Sequence, residues 1–152
     1  MEPVSISADK SLLDTDFVHR FLSEQTYWAK GISAKIVNRS IENSICFGVY
    51  LNNKQIGFAR TITDQATFAY LADVFILPEH RGRGLSKELV KFILAYPQLQ
   101  GLRRWVLLTA DADGLYKQFG FEKPDNPERY MEIRNPNIYP SAPKESHAGP
   151  KT

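Results

Sequence analysis

The segment from residue 74 to residue 86 carries the residue types best suited to binding an anion. An apolar run typical of a buried strand leads into Arg81-Gly82-Arg83-Gly84, and a helical pattern begins directly afterwards. The start of a helix leaves backbone N–H groups free and carries partial positive charge. Glycines let the backbone approach a ligand closely, and phosphates bind readily at such loops. The segment therefore predicts a phosphate site, with two arginines adding charge beside it.

Loop composition alone leaves other interpretations of this segment. An ordinary strand–helix turn with solvated arginines is as good an explanation. Two nucleotide-binding motifs fail on spacing. A P-loop requires Lys directly after its second glycine, where this chain has Leu85, and a dinucleotide fingerprint requires a third glycine where Lys87 stands.

Two further side chains could take part in proton transfer, and each has a structural alternative. Asp73 lies in an otherwise apolar strand, where an acid is either functional or paired. Arg60 on the neighbouring strand is the plausible partner for such a pair. Tyr116 lies on an apolar helical stripe, and most tyrosines on such stripes belong to the core. Cys46, in mid-strand, is expected to be a small core residue.

The elements that must position these residues follow from periodicity and turn residues. Helices are predicted over 14–29, from Ser33 through Ile41, from Leu85 to about Leu94, and over 112–119. Strands are predicted over 4–7, 45–51, 55–63, 68–77 and 105–109, with a further candidate strand over 130–133. The strand over 55–63 is expected to place Ile56, Phe58, Arg60 and Ile62 on one face.

The order of these elements predicts an α+β fold in a single domain. Antiparallel strands come first, and a strand–helix–strand unit with a right-handed crossover follows, which gives a mixed central sheet. The domain is expected to cover residues 1–134. Residues 135–152 are rich in proline and polar residues and are predicted to form a flexible tail.

Three segments together resemble the GNAT superfamily of N-acetyltransferases. Arg81-x-x-Gly84-x-Ser86 is similar to the Arg/Gln-x-x-Gly-x-Gly/Ala loop of that family. The strand end that runs from Val74 to Pro78 fits the family pattern, and Leu115-Tyr116-Lys117-Gln118-Phe119-Gly120-Phe121 resembles its L-Y-x-x-x-G-F block. The resemblance covers about residues 45–133 and implies a GNAT-like sheet with helices on both faces.

The resemblance implies acetyl transfer from acetyl-CoA to a primary amine, by direct attack in a ternary complex. It places CoA on the backbone of the strand before the loop and on the loop itself, and it makes Tyr116 the acid for the departing thiolate. Tyr27 and Trp28 would lie where the family often binds the acceptor, although a packing role is as good an explanation. The implied CoA-binding residues are Val74, Phe75, Ile76, Arg81, Gly82, Arg83, Gly84, Leu85, Ser86, Thr109 and Tyr116.

The sequence departs from the family pattern at three positions. Ser86 replaces the usual Gly or Ala, and Ser is small and able to cap a helix. Thr109 stands near a position where the family often has Asn. Ala72 stands where many members carry a Glu, which leaves two interpretations of the general base: Asp73 or a chain of waters. A non-catalytic acyl-CoA sensor of the same fold is the alternative function.

Composition restricts the partners more than it identifies them. The 152 residues carry a formal net charge of +2, from 19 basic and 17 acidic residues, so nucleic acid and membrane surfaces are not expected as partners. A single cysteine excludes an intramolecular disulfide and favours a cytoplasmic location. No metal is expected. A small amine or a peptide is the expected acceptor, and a homodimer is compatible with the sequence.

Overall fold

The computed structural model describes residues 3–139, and the expectations for residues 140–152 lie outside the described residues. Four helices and five strands make up the domain. The helices are α1 (Thr15–Gln25), α2 (Ala34–Glu42), α3 (Leu85–Leu94) and α4 (Asp113–Lys117). The strands are β1 (Val4–Ser7), β2 (Ile45–Leu51), β3 (Lys54–Thr63), β4 (Phe68–Ile76) and β5 (Arg104–Leu107).

The five strands form one mixed sheet in chain order, β1-β2-β3-β4-β5. The first four strands are antiparallel to their neighbours, and β5 is parallel to β4. The β2–β3 hairpin turns on Asn52 and Asn53, whose φ angles of 51° and 64° suit a two-residue turn. The parallel pair requires a crossover, and α3 supplies it. The α+β fold predicted from element order is confirmed.

Helices cover both faces of the sheet and create two apolar clusters. On one face α3 packs Leu89, Val90 and Ile93 against residues of the central strands. On the other face α1 and α2 pack Val18, Leu22, Val37 and others against Phe58 and Phe75. Asp14 and Ser33 cap the two helices on this second face, because their side chains accept from Phe17 and Ile36 N–H groups.

Two irregularities of the central strands change which residues share a face. The β2–β3 register shifts between Val49 and Tyr50, so Ile56 faces the α3 side while Phe58 faces α1 and α2. The prediction that these two residues share a face is therefore wrong, because alternation is interrupted by one extra residue in β3. The second irregularity lies in β4, where Asp73 has a φ of 54°.

Other element boundaries differ from the sequence-based ones for local reasons. Helix α1 ends at Gln25 rather than at residue 29, because the Thr26 hydroxyl bonds back to the Leu22 carbonyl and then accepts from the Ala29 N–H. The expected strand over 130–133 has no sheet partner within residues 3–139, so that prediction is wrong for the described chain. Across the same residues, every helix is too short or too polar to cross a bilayer.

Candidate functional site

A cleft opens in the sheet where β4 and β5 separate. The two strands pair only from Phe68 to Leu71 on the β4 side, although β4 continues to Ile76. The second half of β4 therefore has its β5-facing edge unpaired, whereas its other edge stays bonded to β3. Backbone groups of Val74 to Ile76 on that free edge can hydrogen-bond to an extended ligand.

The divergence begins at the bulge of β4. Between the Arg60↔Ala72 and Phe58↔Phe75 pairs, β4 has one residue more than β3, and Asp73 takes up the left-handed conformation there. A bulge bends its strand and increases the local twist. The bend falls directly after the last β4–β5 pair, so the bulge opens the cleft.

The loop between β4 and α3 presents a row of free amides at the end of this cleft. Gly82 and Gly84 have φ angles of 81° and 78°, a conformation that favours glycine. Gly84 is the N-terminal cap of α3, and no side chain caps the helix. Within the part of the chain that the structure describes, the N–H groups of residues 82–87 donate no hydrogen bond. A Cβ added at either glycine would meet nothing within 4 Å, so the space in front of these amides is open.

A small cavity of about 170 Å³ lies over these amides. Its lining includes the glycines, Ser86, Lys87 and Leu115. Arg81 donates from Nε to the Ile76 carbonyl at 2.9 Å, which fixes the loop to the end of β4. Sequence reasoning missed Lys87 as a candidate for this site. Its position three residues after Gly84, in the first turn of the helix, was the available signal.

Tyr116 lies on α4, which is next to the loop because Leu115 lines the same cavity. The tyrosine is 8% exposed and packs with the α3-side cluster, and its ring makes an edge contact with Phe121 at 5.8 Å. Burial raises the pKa of Tyr116 to about 12, and the negative charge of Asp111 adds to that rise. The hydroxyl therefore keeps its proton through the neutral range, and no described residue hydrogen-bonds to it.

Asp73 is engaged on both of its carboxylate oxygens. Arg60 Nε donates to Oδ2 at 2.9 Å, and Trp28 Nε1 donates to Oδ1 at 2.8 Å. The Asp73 and Arg60 side chains are 10% and 15% exposed. The anticipated pair with Arg60 is thus present, and the tryptophan is a partner that no sequence spacing indicated. These bonds hold the left-handed residue of the bulge in place.

The remaining predicted site residues have separate surroundings. Trp28 is 41% exposed and makes an edge contact with Tyr27 at 5.0 Å, in the turn after α1. This aromatic pair lies at the bulge because of the Trp28–Asp73 bond. Thr109 is exposed, and its hydroxyl accepts from the Ala112 N–H at 3.0 Å before α4. Residues 3–139 contain no group of three or more His, Cys, Asp or Glu side chains able to hold a metal.

Comparison with known proteins gives this geometry a family. The sequence profile of the Acetyltransferase (GNAT) family matches residues 15–121. A protein of Gibberella zeae, provisionally named an acetyltransferase, is 35% identical over 133 residues, which cover 73% of this chain and 74% of that protein.

Solved structures agree with the sequence match. A protein of Xanthomonas campestris, provisionally assigned to the same family, superposes with a TM-score of 0.88 at 52% identity, covering 91% of this chain and 98% of that one. A provisionally named acetyltransferase of Clostridium acetobutylicum, crystallised with acetyl-CoA, shares the fold at 16% identity and a TM-score of 0.62, covering 88% and 96% of the two chains. The chain belongs to the GNAT family of acetyltransferases.

Proposed function

We propose that this protein is an acetyl-CoA-dependent N-acetyltransferase that transfers the acetyl group to a primary amine by direct attack in a ternary complex. The observation that carries the proposal is the row of free amides at residues 82–87, at the end of a cleft opened by the β4 bulge. The acceptor is a small amine or a peptide, and neither nucleic acid nor a membrane is required.

The amides and basic groups at the loop suit the pyrophosphate of acetyl-CoA. A helix start with free N–H groups favours phosphate oxygens, and the left-handed glycines leave room for them. Lys87 and Arg83 supply positive charge beside the loop. The pantetheine arm would lie along the free edge of Val74 to Ile76, where peptide-like hydrogen bonds are available. A solved relative of the same fold, from Clostridium acetobutylicum, contains acetyl-CoA.

The reaction requires two proton transfers, and Tyr116 suits one of them. The acceptor nitrogen forms a bond to the thioester carbonyl carbon, and the carbon–sulfur bond breaks. The departing sulfur takes a proton, which the protonated hydroxyl of Tyr116 can donate. A backbone N–H of β4 can stabilise the negative charge that develops on the carbonyl oxygen.

The acceptor must also lose a proton before it attacks, since an alkyl ammonium has a pKa near 10. Asp73 is one candidate base, but both of its oxygens already accept hydrogen bonds from Arg60 and Trp28. We therefore assign it the task of holding the bulge and propose that water carries the proton away. Tyr27 and Trp28 form a wall beside the bulge that an acceptor side chain could contact.

Turnover is the direct test of the enzyme. Purified protein, acetyl-CoA and a panel of primary amines and short peptides should give thiol release and an acetylated amine of matching amount. Mass spectrometry of the product identifies the nitrogen as the acetylated atom. Acetylation of oxygen rather than nitrogen, or thiol release without an acetylated product, would contradict the proposal.

The cosubstrate site has its own test, in which glycine conformation is controlled. Gly84→Val should weaken CoA binding at least tenfold by calorimetry, because the side chain disfavours the left-handed φ and projects towards the pyrophosphate. Gly101 is a matched control, with a φ of 76° and no atom within 4 Å of an added Cβ. Gly101→Val carries the same strain away from the loop and should leave CoA affinity unchanged. Equal affinities for the two variants would remove the loop from the site.

A non-catalytic acyl-CoA sensor is the second candidate. The observation that favours it is the occupied carboxylate of Asp73, together with Ala72 at the position where many members of the family carry a Glu. Tight acetyl-CoA binding with no thiol release across the whole amine panel would support the sensor. Release with any one amine would exclude it.

A further inference from the structure

The outer strand of the sheet has a free edge. β5 is the last strand in the order, and it pairs with β4 alone. An unpaired strand edge presents a row of N–H and C=O groups that another strand can join. Arg104 at the start of β5 is exposed, as is Arg103 just before it, and neither forms an ion pair within residues 3–139.

The chain after α4 forms an arm, residues 122–135, that carries apolar side chains in full contact with solvent. Met131 is 95% exposed, Ile133 is 104% exposed and Tyr130 is 50% exposed. Residues 130–135 adopt no helix or turn and join no strand of the described sheet. Large exposed apolar residues grouped on a short segment commonly mark a protein interaction site.

The arm stands away from the edge of its own sheet. A cavity of about 1020 Å³ separates them, and its lining includes Arg103, Arg104 and Trp105 on one side and residues 119–126 and 129–131 on the other. This volume is at the upper end of small-molecule pockets. Its long side is a strand edge rather than a closed wall, which suits a segment of extended chain.

Contacts at both ends hold the arm in this position. At its start the Phe121 N–H donates to the Tyr116 carbonyl at 3.2 Å, and the Phe121 ring contacts Trp105. Beyond its end, Tyr139 packs against the cluster on the α1–α2 face, which includes Phe17 and Leu77. The arm therefore passes around the edge of the sheet with its apolar side chains turned away from its own domain. Another molecule is needed to cover them.

We infer that two copies of this chain exchange their arms, so that the strand-like segment Tyr130–Ile133 of each copy joins the free edge of β5 in the other. The segment has the alternation of an edge strand, with Glu132 between Met131 and Ile133. Glu132 forms no ion pair within the described residues, and its charge complements Arg103 and Arg104. A two-fold axis satisfies both copies at once, since each gives one arm and receives one.

The apolar area is adequate for such a contact. Met131, Ile133, Tyr130 and Leu108 are each half or more exposed, and Leu108 directly follows β5. Together they offer on the order of several hundred Å², and a specific interface buries about 800 Å² per partner. The paired backbone of four or five residues supplies the remaining area and the hydrogen bonds.

The first test is the mass of the full chain in solution, measured by light scattering after size exclusion. The wild type should have twice the 17.3 kDa of one chain. The double variant Met131→Asp/Ile133→Asp should be a monomer with an unchanged melting temperature, because both side chains are solvent-exposed in the single chain. Leu12→Asp, at a 54% exposed leucine far from the arm, should remain a dimer. A monomeric wild type, a dimer that survives the double variant, or a Leu12→Asp monomer would each overturn the inference.

The second test distinguishes exchange from an arm that closes on its own sheet. A variant with both Arg104→Cys and Ile133→Cys is treated with a short bismaleimide at low protein concentration, and Cys46 does not interfere because it is 1% exposed. Exchange should give a covalent dimer on a denaturing gel. A cross-link found only within single chains would overturn the inference.

Discussion

Replacing Tyr116 by Phe removes one oxygen from the candidate site and retains the ring. The ring accounts for the packing of this residue, since it belongs to the α3-side cluster and contacts the edge of Phe121. The hydroxyl makes no hydrogen bond to a described residue. Its removal should therefore change the free energy of unfolding by less than about 1 kcal/mol, because no protein hydrogen bond is lost.

The effect on rate should be much larger. General acid catalysis contributes roughly 10²- to 10⁴-fold, and a 10²-fold loss corresponds to about 2.7 kcal/mol of transition-state stabilisation. The affinity for acetyl-CoA should change little, because the proton is needed only as the sulfur departs. The measurement is kcat and acetyl-CoA affinity for Tyr116→Phe and wild type, with the best amine from the panel.

Tyr50 provides a matched control for this experiment. It is also a buried tyrosine, its hydroxyl has no hydrogen-bond partner within the described residues, and burial raises its pKa to about 12. It lies on β2, away from the cleft between β4 and β5. Tyr50→Phe should leave kcat unchanged. Wild-type turnover in Tyr116→Phe would refute the acid assignment, and so would an equal loss of turnover in both variants.

Three further predictions concern the bulge, the C-terminal contact and alkaline pH. Asp73→Asn should lower the melting temperature by several degrees, since a mostly buried guanidinium loses its counter-charge, while kcat falls less than tenfold; a 10²-fold loss of kcat at an unchanged melting temperature would instead make Asp73 the base. Tyr139→Ala should cost about 1 kcal/mol of unfolding free energy because it packs on the α1–α2 cluster, whereas Ile138→Ala, at a 57% exposed residue, should cost much less by urea titration. The pKa values of Tyr50 and Tyr116 are raised to about 12 in the fold from 10.0, so their contribution is complete below pH 10 and is lost as the pH rises towards 12; the urea midpoint should fall between pH 9 and pH 11, and it should fall less in the double Phe variant.

The order of the elements and the loop could be predicted from sequence because each rests on local chemistry. The alternation of apolar residues, the Asn52-Asn53 turn and the capping residues Asp14 and Ser33 act over a few neighbouring positions. The left-handed glycines of the loop could likewise be anticipated, since a strand that runs directly into a helix requires such a turn. The comparisons with known proteins confirm the family and the fold that these motifs indicated.

What could not be predicted depends on contacts between distant residues. The bond from Trp28 to Asp73 spans 45 positions, and no spacing rule relates a turn after α1 to the middle of β4. The extra residue of β3 at Ile56 depends on which backbone pair bonds form, so alternation alone placed it on the wrong face. The segment 130–133 has strand-like residues but no free edge in reach within its own chain, and sequence patterns do not show whether a partner edge is available.

The bulge connects the fold of this protein with the proton transfers that we propose. In a strand without the extra residue, β4 would pair with β5 along its whole length, and no edge would remain for the cosubstrate. A non-glycine residue in the left-handed region costs on the order of 1–3 kcal/mol, and at Asp73 the two hydrogen bonds from Arg60 and Trp28 offset that strain. The carboxylate that stabilises the cleft is thereby less available to accept a proton from the amine. Catalysis in this chain should therefore depend more on the acid at Tyr116 and on the oriented amides than on a side-chain base.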